Sequence, residues 1–434
     1  MVDLQDIKKA HFIGIGGIGM SAVARMFLIE GKTVTGSDRE QSLVTDVLSD
    51  LGAKVAIGHR AENLEDDTDV VIYTIAIAPD NPELTKARER GIPLLTYPEA
   101  LGALSKGKYT IAIAGAHGKT TTTGMIAQIL LEHTLDPSVV IGSFLKGYKS
   151  NFIAGKSKYF VVESCEYRRS FLNMHPNILV ITNIEEEHLD YYKDLADIQD
   201  AFRTLAKRVP KDGFIVCDPN NEHVRPVIDG LPCTILDYTK ENVETTLQVP
   251  GAHMIQNAKA AQTVARTLGL SEEQAGESLA RFSGTWRRSD RLGETKNGAL
   301  VYDDYAHHPD EVKTTLAGFK ERFDDKRIVL VFMPHLYSRT KIFFDRFVDV
   351  LSEADEVLVT NVYDARAEID HSVTGEVLAE ALKKKNPKTR FVGDFSEIAR
   401  ILEAEYGKDD LIITMGAGDI YKVAEQITQW QRSI

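Results

Sequence analysis

Residues 109–123 read YTIAIAGAHGKTTTT, an apolar run followed by a glycine-rich turn and a row of threonines. A short apolar strand that passes through such a turn into a helix is the repeating unit of parallel α/β sheets. The turn at 115–120 offers consecutive backbone N–H groups to an anion, and Lys119 is placed to meet β- and γ-phosphates. The stretch therefore predicts an α/β fold that binds a nucleoside triphosphate.

The turn departs from a full G-x-x-x-x-G-K-[ST] loop at one position, because residue 113 is Ile rather than Gly. A chance Gly-Lys-Thr on a surface loop is the alternative, but the strand before the turn and the threonines after it favour a phosphate site. The Thr120 hydroxyl is placed to ligate Mg²⁺. The residues of this turn predicted to bind ATP are Gly115, His117, Gly118, Lys119, Thr120 and Thr121.

A second glycine cluster near the N-terminus reads Gly14-Ile15-Gly16-Gly17-Ile18-Gly19, a complete G-x-G-x-x-G between a predicted strand and a predicted helix. Asp38 follows Gly19 by 19 residues, where dinucleotide-binding folds place an acid that binds ribose. The pattern predicts a nucleotide or dinucleotide with its pyrophosphate on the helix N-terminus. The alternative is a turn whose glycines only permit tight packing of helix on strand.

Short apolar runs alternate with amphipathic stretches along the whole chain, and no internal repeat interrupts them. We predict three α/β domains in series: a Rossmann-like domain at 1–107, a central P-loop-type ATPase at 108–292 and a second Rossmann-like domain at 293–434. The predicted strands are 11–15, 33–36, 54–57, 70–73, 93–94, 109–114, 159–163, 178–183, 214–217, 300–303, 327–332, 356–360 and 411–414. The predicted helices are 19–30, 119–133, 198–207, 254–268, 343–351 and 375–384.

Composition limits the functional class. The chain has 434 residues, 43% of them hydrophobic, and a formal net charge of −13, which argues against a nucleic-acid partner. The three cysteines lack C-x-x-C spacing, which favours a reducing compartment. The N-terminus lacks the pattern of a signal peptide, and the longest apolar runs are too short to span a bilayer. We therefore expect a soluble, cytoplasmic protein without membrane insertion.

Further polar clusters follow predicted strands, where open α/β sheets bind ligands. Glu163 ends one strand and His188 follows another, and both are candidate ligands of a phosphate-bound metal, with solvated surface groups as the alternative. In the last third of the chain, the pair His307 and His308 favours substrate contact or proton transfer over zinc binding, with a surface histidine pair as the alternative. The run at 286–288, Trp-Arg-Arg, is either a solvated patch or a cationic clamp on phosphate.

Taken in order, these motifs resemble the Mur ligases over essentially the whole chain, and most closely the branch that adds L-alanine. The matching stretches are HFIGIGGIGMSAVA (11–24), TGSD (35–38), DNPEL (80–84), AGAHGKTTTT (114–123), TNIEEEHLDYY (182–192), PGAHMIQNAKAA (250–261), DDYAHHPDEV (303–312) and GAGDI (416–420). The resemblance implies that the N-terminal domain binds a UDP-sugar and not NAD.

The resemblance also implies roles for single residues. The catalytic residues would be Lys119, His188, Glu163, His308 and Arg288, and Mg²⁺ would be surrounded by Thr120, Glu163 and His188. Adenine would be contacted by Asn257, with His253 beside it. Arg288 would reach the γ-phosphate of ATP, and Asp304 would contact its ribose. The UDP-sugar would lie against Gly14, Gly16, Gly17, Ile18, Gly19, Ser37, Asp38, Asn151 and Ser170. The amino-acid pocket would be formed by His308, Tyr337 and Arg339.

The implied reaction uses ATP and Mg²⁺ to join the lactyl carboxylate of UDP-N-acetylmuramate to the amine of L-alanine through an acyl phosphate, in peptidoglycan precursor synthesis. It needs no protein nucleophile, so Cys165 is predicted to be a bystander. The family commonly has Glu-Ala-Asp-Glu-Ser-Asp where residues 163–168 read ESCEYR, and an Arg where Leu336 stands. Phe202 replaces a lysine that several sister ligases carbamylate. We expect a monomer or a weak homodimer.

Four other interpretations remain at this stage. A murein-tripeptide recycling ligase acts on the same nucleotide sugar, but the PHLYSR stretch at 334–339 favours an amino-acid-adding enzyme. A folylpolyglutamate synthase would leave residues 1–107 unexplained. An NAD-dependent oxidoreductase would use the first glycine turn and leave the second idle. A regulator that binds nucleotide without turnover would not need Lys119, Glu163 and His188 together.

Overall fold

The computed structural model describes Leu4 and residues 6–148, 150–189, 191–249, 251–364 and 368–428. Asp190 and Pro250, which belong to two of the motifs quoted above, lie outside the described residues. The chain divides into two compact units: Met1–Thr246 with Gln256–Phe282, and Leu247–Ile255 with Ser283–Ile434. The described residues form three sheets, two in the first unit and one in the second, which confirms the predicted series of α/β domains.

The first sheet is entirely parallel in its described part, with the order β3-β2-β1-β4-β5. Its central strand, β1, is buried along its whole length, including the polar Lys9 and His11, because helices cover both sides of the sheet. The strands are β1 Lys9–Ile13, β2 Thr33–Asp38, β3 Lys54–Ile57, β4 Val70–Tyr73 and β5 Leu94–Thr96, and the helices are α1 Ile18–Ile29, α2 Leu43–Asp50, α3 Pro82–Glu89 and α4 Tyr97–Ser105. The glycine turn at 14–17 therefore joins the carboxyl end of β1 to the start of α1.

The second sheet has the order β12-β11-β10-β6-β9-β7-β8. Only β8, at one edge, runs antiparallel to its neighbour. The strands are β6 Tyr109–Ala114, β7 Ser138–Leu145, β8 Ser150–Ile153, β9 Tyr159–Glu163, β10 Ile178–Ile181, β11 Phe214–Cys217 and β12 Thr234–Asp237, and the helices are α5 Lys119–Glu132, α6 Leu195–Ala206, α7 Arg225–Ile228, α8 Ala252–Thr267 and α9 Glu272–Arg281. Because β6 lies between β9 and β10, three strand ends meet at the second glycine turn.

The third sheet has the order β13-β14-β18-β15-β16-β17, and β13 is its antiparallel edge. Strand β13 spans the predicted domain boundary at 292/293 and pairs within this sheet. The strands are β13 Asp290–Glu294, β14 Leu300–Asp304, β15 Arg327–Phe332, β16 Glu356–Val359, β17 Thr389–Phe391 and β18 Asp410–Met415, and the helices are α10 Pro309–Arg322, α11 Tyr337–Ile342, α12 Phe344–Leu351, α13 Gly375–Lys383, α14 Phe395–Glu405 and α15 Tyr421–Thr428.

The hydrophobic core of the first unit continues from the first sheet into the second. Phe12 and Phe27 of the first sheet layer and Phe160 and Phe202 of the second belong to one cluster of buried side chains. Phe202 packs edge-to-face on Phe171 with ring centroids 5.0 Å apart. A shared core holds the two glycine turns in one folded body. Within the described part of the chain, we find no helix with the length and apolar character that crossing a membrane requires.

Candidate active site

The turn before α5 has the backbone geometry of an anion site. Gly118 caps α5 in the left-handed conformation, with φ 78°, which glycine adopts at no steric cost. The turn is supported from behind by Asn183, whose side-chain oxygen accepts the His117 backbone N–H at 2.8 Å. The carbonyl oxygen of Asn183 accepts the Ala116 N–H at 3.3 Å. His117 was predicted to contact ATP, and in this structure its backbone N–H is occupied by the hydrogen bond to Asn183.

Lys119 is folded back over this turn and is held by a buried acid. Its Nζ donates to the carbonyl oxygens of Gly115 and Ala116 and lies 3.1 and 3.0 Å from the two carboxylate oxygens of Glu166. Burial acts to lower the pKa of Lys119, but neighbouring acids, Glu166 foremost, outweigh it and raise that pKa above its ordinary value. The lysine is therefore charged and positioned over the glycine turn.

Thr120 and Glu163 form the oxygen pair predicted for a magnesium site. The Thr120 hydroxyl donates to Glu163 Oε1 at 2.9 Å, and Glu163 Oε2 accepts the Gly142 N–H at 2.7 Å. A hydroxyl and a carboxylate at the mouth of a phosphate turn are the hard oxygen donors that Mg²⁺ prefers, so these residues fit the ion. His188 contacts Glu166 rather than this pair, with Nε2 3.3 Å from Oε1.

Glu166 was missed from the sequence, although it lies at the centre of this arrangement. It is 3% exposed and contacts both Lys119 and His188. Burial acts to raise the pKa of Glu166, but the charge of Lys119 and the contact from His188 outweigh it, so the pKa lies below its ordinary value. Its position three residues after Glu163 in the loop beyond β9 was the one available signal.

Asn257 is close to the phosphate turn, as its predicted nucleotide contact requires. Its side-chain oxygen lies only 2.6 Å from the position that a Cβ on Gly118 would occupy. His117 points elsewhere, with Nε2 3.3 Å from Glu185. In the second unit, burial lowers the pKa of His253 to about 4, which keeps this imidazole neutral at physiological pH. The adenine contacts of Asn257 and His253 stay predictions.

The N-terminal glycine turn is closed by Asp38. The carboxylate of Asp38 accepts the Gly16 N–H at 2.7 Å and the Arg39 N–H at 2.7 Å. Ser37 donates to Glu83 at 2.6 Å, and Glu83 is fully buried. Asp38, whose spacing predicts a ribose contact, therefore also fixes the conformation of the turn in this structure. Ser37 is fixed by a hydrogen bond to Glu83, which was not predicted from the sequence.

Two further residues predicted to contact the UDP-sugar, Asn151 and Ser170, belong to the second sheet layer. Asn151 of β8 is fully buried and its side-chain amide donates to the Ile18 carbonyl and, at 2.9 Å, to Ser21. Asn151 thus fixes the start of α1, next to the glycine turn that is predicted to bind the UDP-sugar. Ser170 donates to the Tyr167 carbonyl at 2.7 Å, and its predicted sugar contact stays a prediction.

Tyr97 connects the two halves of the first unit and was not predicted from the sequence. Its ring atom Cζ lies 2.6 Å from the position that a Cβ on Gly19 would occupy, so Gly19 is required for close approach. Burial, with added repulsion from Glu163 and Cys165, raises the pKa of the Tyr97 phenol. The phenol is therefore neutral and lies directly over Gly19 of the first glycine turn.

In the second unit, Arg287 of the run at 286–288 is buried, and the phosphate contact of Arg288 stays a prediction. Arg287 is 3% exposed; its Nε donates to Asp303 at 2.7 Å and its Nη1 to the Gly418 carbonyl at 2.8 Å. It thereby holds the 416–420 motif to β14, and a solvated interpretation is wrong for this residue. Arg288 is 29% exposed in its side chain and lies over Tyr305, 5.2 Å from the ring centroid.

Asp304 is buried under the same segment. It accepts the backbone N–H groups of Ser289 at 2.6 Å and Ala306 at 2.8 Å. Burial raises the pKa of Asp304 to about 6, and Arg288 and the two N–H groups offset this only in part. Its carboxylate organises the turn after β14, and its predicted contact with ribose stays a prediction.

The histidine pair is divided between two environments. His308 is 3% exposed and its Nδ1 accepts the Asp310 N–H at 3.4 Å, so it caps α10 and the surface-pair alternative is wrong for it. Burial lowers the pKa of His307 to about 4. Arg339 Nη1 lies 3.1 Å from His335, and Tyr337 stacks on His371 with centroids 4.2 Å apart. Their amino-acid contacts stay predictions.

A parallel sheet with a charged lysine, a Thr–Glu oxygen pair and consecutive N–H groups at one glycine turn defines a nucleotide-dependent enzyme of the P-loop type. Sequence models of the Mur ligases match nearly the whole chain: the Mur ligase family catalytic domain at 9–109, the Mur ligase middle domain at 113–243 and the Mur ligase glutamate ligase domain at 287–418. The chain belongs to the Mur ligase family and is an ATP-dependent ligase.

Several relatives cover almost the full length. The chain is 40% identical to the UDP-N-acetylmuramate–L-alanine ligase of Clostridium kluyveri, covering 96% of this chain and 97% of that protein. It is 39% identical to the enzyme of the same name from Clostridium tetani, covering 97% and 98%. A crystal structure of UDP-N-acetylmuramate-alanine ligase from Thermotoga maritima superposes with TM-score 0.82 at 30% identity, covering 97% and 98%. A murein peptide ligase from Psychrobacter arcticus shares the fold, with TM-score 0.71 at 23% identity over 98% and 99%.

Proposed function

We propose that the chain joins the lactyl carboxylate of UDP-N-acetylmuramate to the amine of L-alanine, with ATP converted to ADP and phosphate. The full-length relatives that carry this activity in their names support the choice of substrates. The single observation that carries the proposal is the second glycine turn, where Lys119 and the Thr120–Glu163 pair converge on one anion site. The reaction would supply a precursor of peptidoglycan.

Activation of the carboxylate is a phosphoryl transfer, which an enzyme accelerates mainly by positioning and by neutralising charge. Lys119 is protonated and would exchange Glu166 for the β- and γ-phosphates of ATP. Thr120 and Glu163, with His188 near them, would hold Mg²⁺. When bound, the ion would neutralise charge on the transferring phosphoryl group. No side chain has to act as nucleophile, so the lactyl carboxylate attacks the γ-phosphate itself.

The acyl phosphate formed in this step is then attacked by the amine of the amino acid, and phosphate leaves. The first glycine turn would hold the UDP-sugar on Gly14, Gly16, Gly17, Ile18 and Gly19, with Ser37, Asp38, Asn151 and Ser170 around it. Arg288, Asp304, His308, Tyr337 and Arg339 keep the roles in ATP and amino-acid binding that the family resemblance implies. The domain limits 1–107, 108–292 and 293–434, a cytoplasmic location and a monomer or weak homodimer belong to the same proposal.

The test is phosphate release in the presence of ATP, Mg²⁺ and UDP-N-acetylmuramate with a panel of amine substrates. The panel contains L-alanine, glycine, L-serine, D-alanine and the tripeptide L-alanyl-γ-D-glutamyl-meso-diaminopimelate, and mass spectrometry identifies each product. We expect the highest kcat/KM with L-alanine. Preference for the tripeptide would replace the proposal with a recycling ligase. Phosphate release in no combination would contradict it.

Lys119→Ala is the matched catalytic test. Without this ammonium group the β- and γ-phosphates lose a neutralising charge at the turn, so we expect turnover to fall by at least about a thousandfold. The variant also leaves the buried Glu166 carboxylate without its ion-pair partner, which should lower stability by about 3–5 kcal/mol, so turnover is measured at a temperature at which the variant is folded. Circular dichroism checks the fold. Ligation at a rate near that of the wild type would remove Lys119 from the mechanism.

A further inference from the structure

We propose that Cys165, Glu166 and His188 form a site for a thiophilic divalent cation, of which Zn²⁺ is the representative, beside the Thr120–Glu163 pair. The sulfur, carboxylate and imidazole donor atoms all lie within 4.8 Å of one another. In the part of the chain that the structure describes, this is the one grouping of three or more histidine, cysteine and acidic ligand atoms that is so compact. The existence of the site does not depend on the proposed function; only its effect on turnover does.

The backbone brings the three donors together from two strand ends. Cys165 and Glu166 follow β9, and His188 lies in the loop after β10 with φ 57°, a left-handed conformation that is uncommon outside glycine. His188 Nε2 is 3.3 Å from Glu166 Oε1. Tetrahedral Zn²⁺ with bonds of about 2.0–2.3 Å needs donors about 3.3–3.7 Å apart. The imidazole and carboxylate therefore already have the spacing, and the sulfur, in a group whose donor atoms lie within 4.8 Å of one another, must move by at most about 1 Å.

The environment permits that movement and leaves room for a fourth ligand. Cys165 is exposed, so its side chain can rotate and water can complete the coordination shell. Glu166 is buried, and its Oε2 receives no hydrogen bond from the described residues, although Lys119 Nζ is 3.0 Å away. His188 Nδ1 is also buried and makes no hydrogen bond within the described part of the chain. Glu166 Oε1 and His188 Nε2 thus face each other, while the second oxygen and the second ring nitrogen have no hydrogen bond within the described residues.

The donor set selects the metal. Thiolate and imidazole favour Zn²⁺ and Cd²⁺, whereas Mg²⁺ prefers oxygen donors such as those of Thr120 and Glu163. On binding, a bond forms between sulfur and the metal, the thiol proton is released to solvent, and no change of oxidation state occurs. A dication there displaces Lys119 from Glu166 by charge repulsion and engages His188. If the proposed function holds, Zn²⁺ is consequently an inhibitor that excess Mg²⁺ does not relieve.

The experiment follows Cd²⁺ and Zn²⁺ binding without any substrate. Cd²⁺ bound to thiolate gives an ultraviolet charge-transfer band, which is titrated in wild type, Cys165→Ser and the control variants Cys217→Ser and Cys233→Ser. Cys217 and Cys233 are both buried thiols. A phosphine reductant replaces dithiols, which would compete for the metal. We expect the band in wild type and both controls, and affinity at least about tenfold weaker, without the band, in Cys165→Ser.

A second readout needs no variant. Alkylation of Cys165 in the wild-type protein, mapped by mass spectrometry, should slow at least about tenfold with Zn²⁺ and stay unchanged with Mg²⁺. No Cd²⁺ band in wild type, a band retained in Cys165→Ser, or alkylation equally fast with and without Zn²⁺ would each overturn the site. Metal binding without inhibition of phosphate release would keep the site and instead count against the magnesium role of His188.

Discussion

Replacement of Glu166 by glutamine tests whether a buried ion pair holds the phosphate lysine in place before nucleotide binds. The variant keeps the shape of the side chain and removes its charge. Glu166 is 3% exposed and lies 3.0 Å from Lys119 Nζ and 3.3 Å from His188 Nε2. The substitution therefore leaves a buried ammonium group without its carboxylate.

The expected loss of stability follows from these contacts. Removing one partner of a buried ion pair costs about 3–5 kcal/mol. The lower end, about 3 kcal/mol, applies here because glutamine retains an acceptor oxygen and because Lys119 keeps its bonds to Gly115 and Ala116. For a unit of this size the thermal midpoint should fall by roughly 6–12 °C.

The assay is thermal unfolding of wild type and Glu166→Gln, each with and without a non-hydrolysable ATP analogue. Bound triphosphate gives Lys119 a new anionic partner, so the analogue should raise the midpoint of the variant by several degrees more than that of wild type. The matched control is Glu222→Gln, since the Glu222 side chain is 90% exposed. This control should change stability by less than about 0.5 kcal/mol.

Acidification supplies an independent check with a defined sign. The pKa of Glu166 is lowered in the folded protein, chiefly because Lys119 and His188 overcome the effect of burial. Its stabilisation is therefore present above the ordinary carboxyl pKa and is lost as pH falls through the lowered value. The gap between wild type and Glu166→Gln should close in acid. Equal midpoints for Glu166→Gln and Glu222→Gln, or equal stabilisation of both proteins by the analogue, would refute this reasoning.

Two further variants test the nucleotide turn and the C-terminal unit. Gly118→Ala places a Cβ 2.6 Å from the Asn257 side chain at φ +78°, whereas Gly107→Ala has φ +76° and nothing within 4 Å. Because both variants bear the same backbone strain, only Gly118→Ala should raise KM for ATP, by about tenfold. Equal KM values for the two variants would show that Asn257 is not displaced. Burial raises the pKa of Asp304 from 3.8 to about 6. Between these pH values the folded protein keeps a proton on Asp304 that the unfolded chain has already released, so the free energy of unfolding falls as the pH rises through this range. Urea unfolding of the C-terminal unit should show a loss of about 1 kcal/mol between about pH 5 and about pH 7 in wild type and none in Asp304→Asn; an unchanged slope in the variant would rule out Asp304 as its source.

The strand–turn–helix units were predictable because their signals are local. Apolar runs and glycine spacing placed β1, β6 and their turns, and the family class followed from the order of the motifs. The edge strands β8, β12, β13 and β17 were not predicted, since they are short and lack a continuous apolar run. Strand β7, which is internal and has eight residues, was missed as well. The helix predicted at 343–351 is observed as α12. The short helix before it, α11, was not predicted, because its six residues are too few to show a helical periodicity.

The same contrast holds at the site. Lys119 and Thr120 were named from the sequence because a phosphate turn fixes which side chains follow it, and Glu163 was named because it ends a predicted strand, where open α/β sheets bind ligands. Glu166, Tyr97 and Asn183 were not, because their roles depend on contacts across the fold: Glu166 faces Lys119, Tyr97 covers Gly19, and Asn183 supports the turn from a neighbouring strand end. Isolated acids and aromatics carry no spacing signal of their own.

The sequence by itself determined the α/β class, the two anion-binding turns and the family, since each depends on residues that are neighbours along the chain. The tertiary structure decided which groups face those turns. Parallel strands bring together loops that lie tens of residues apart, and burial then sets the charge and the partners of whatever side chains meet there. The ion pair of Lys119 with Glu166, and the sulfur of Cys165 next to His188, exist only through that convergence.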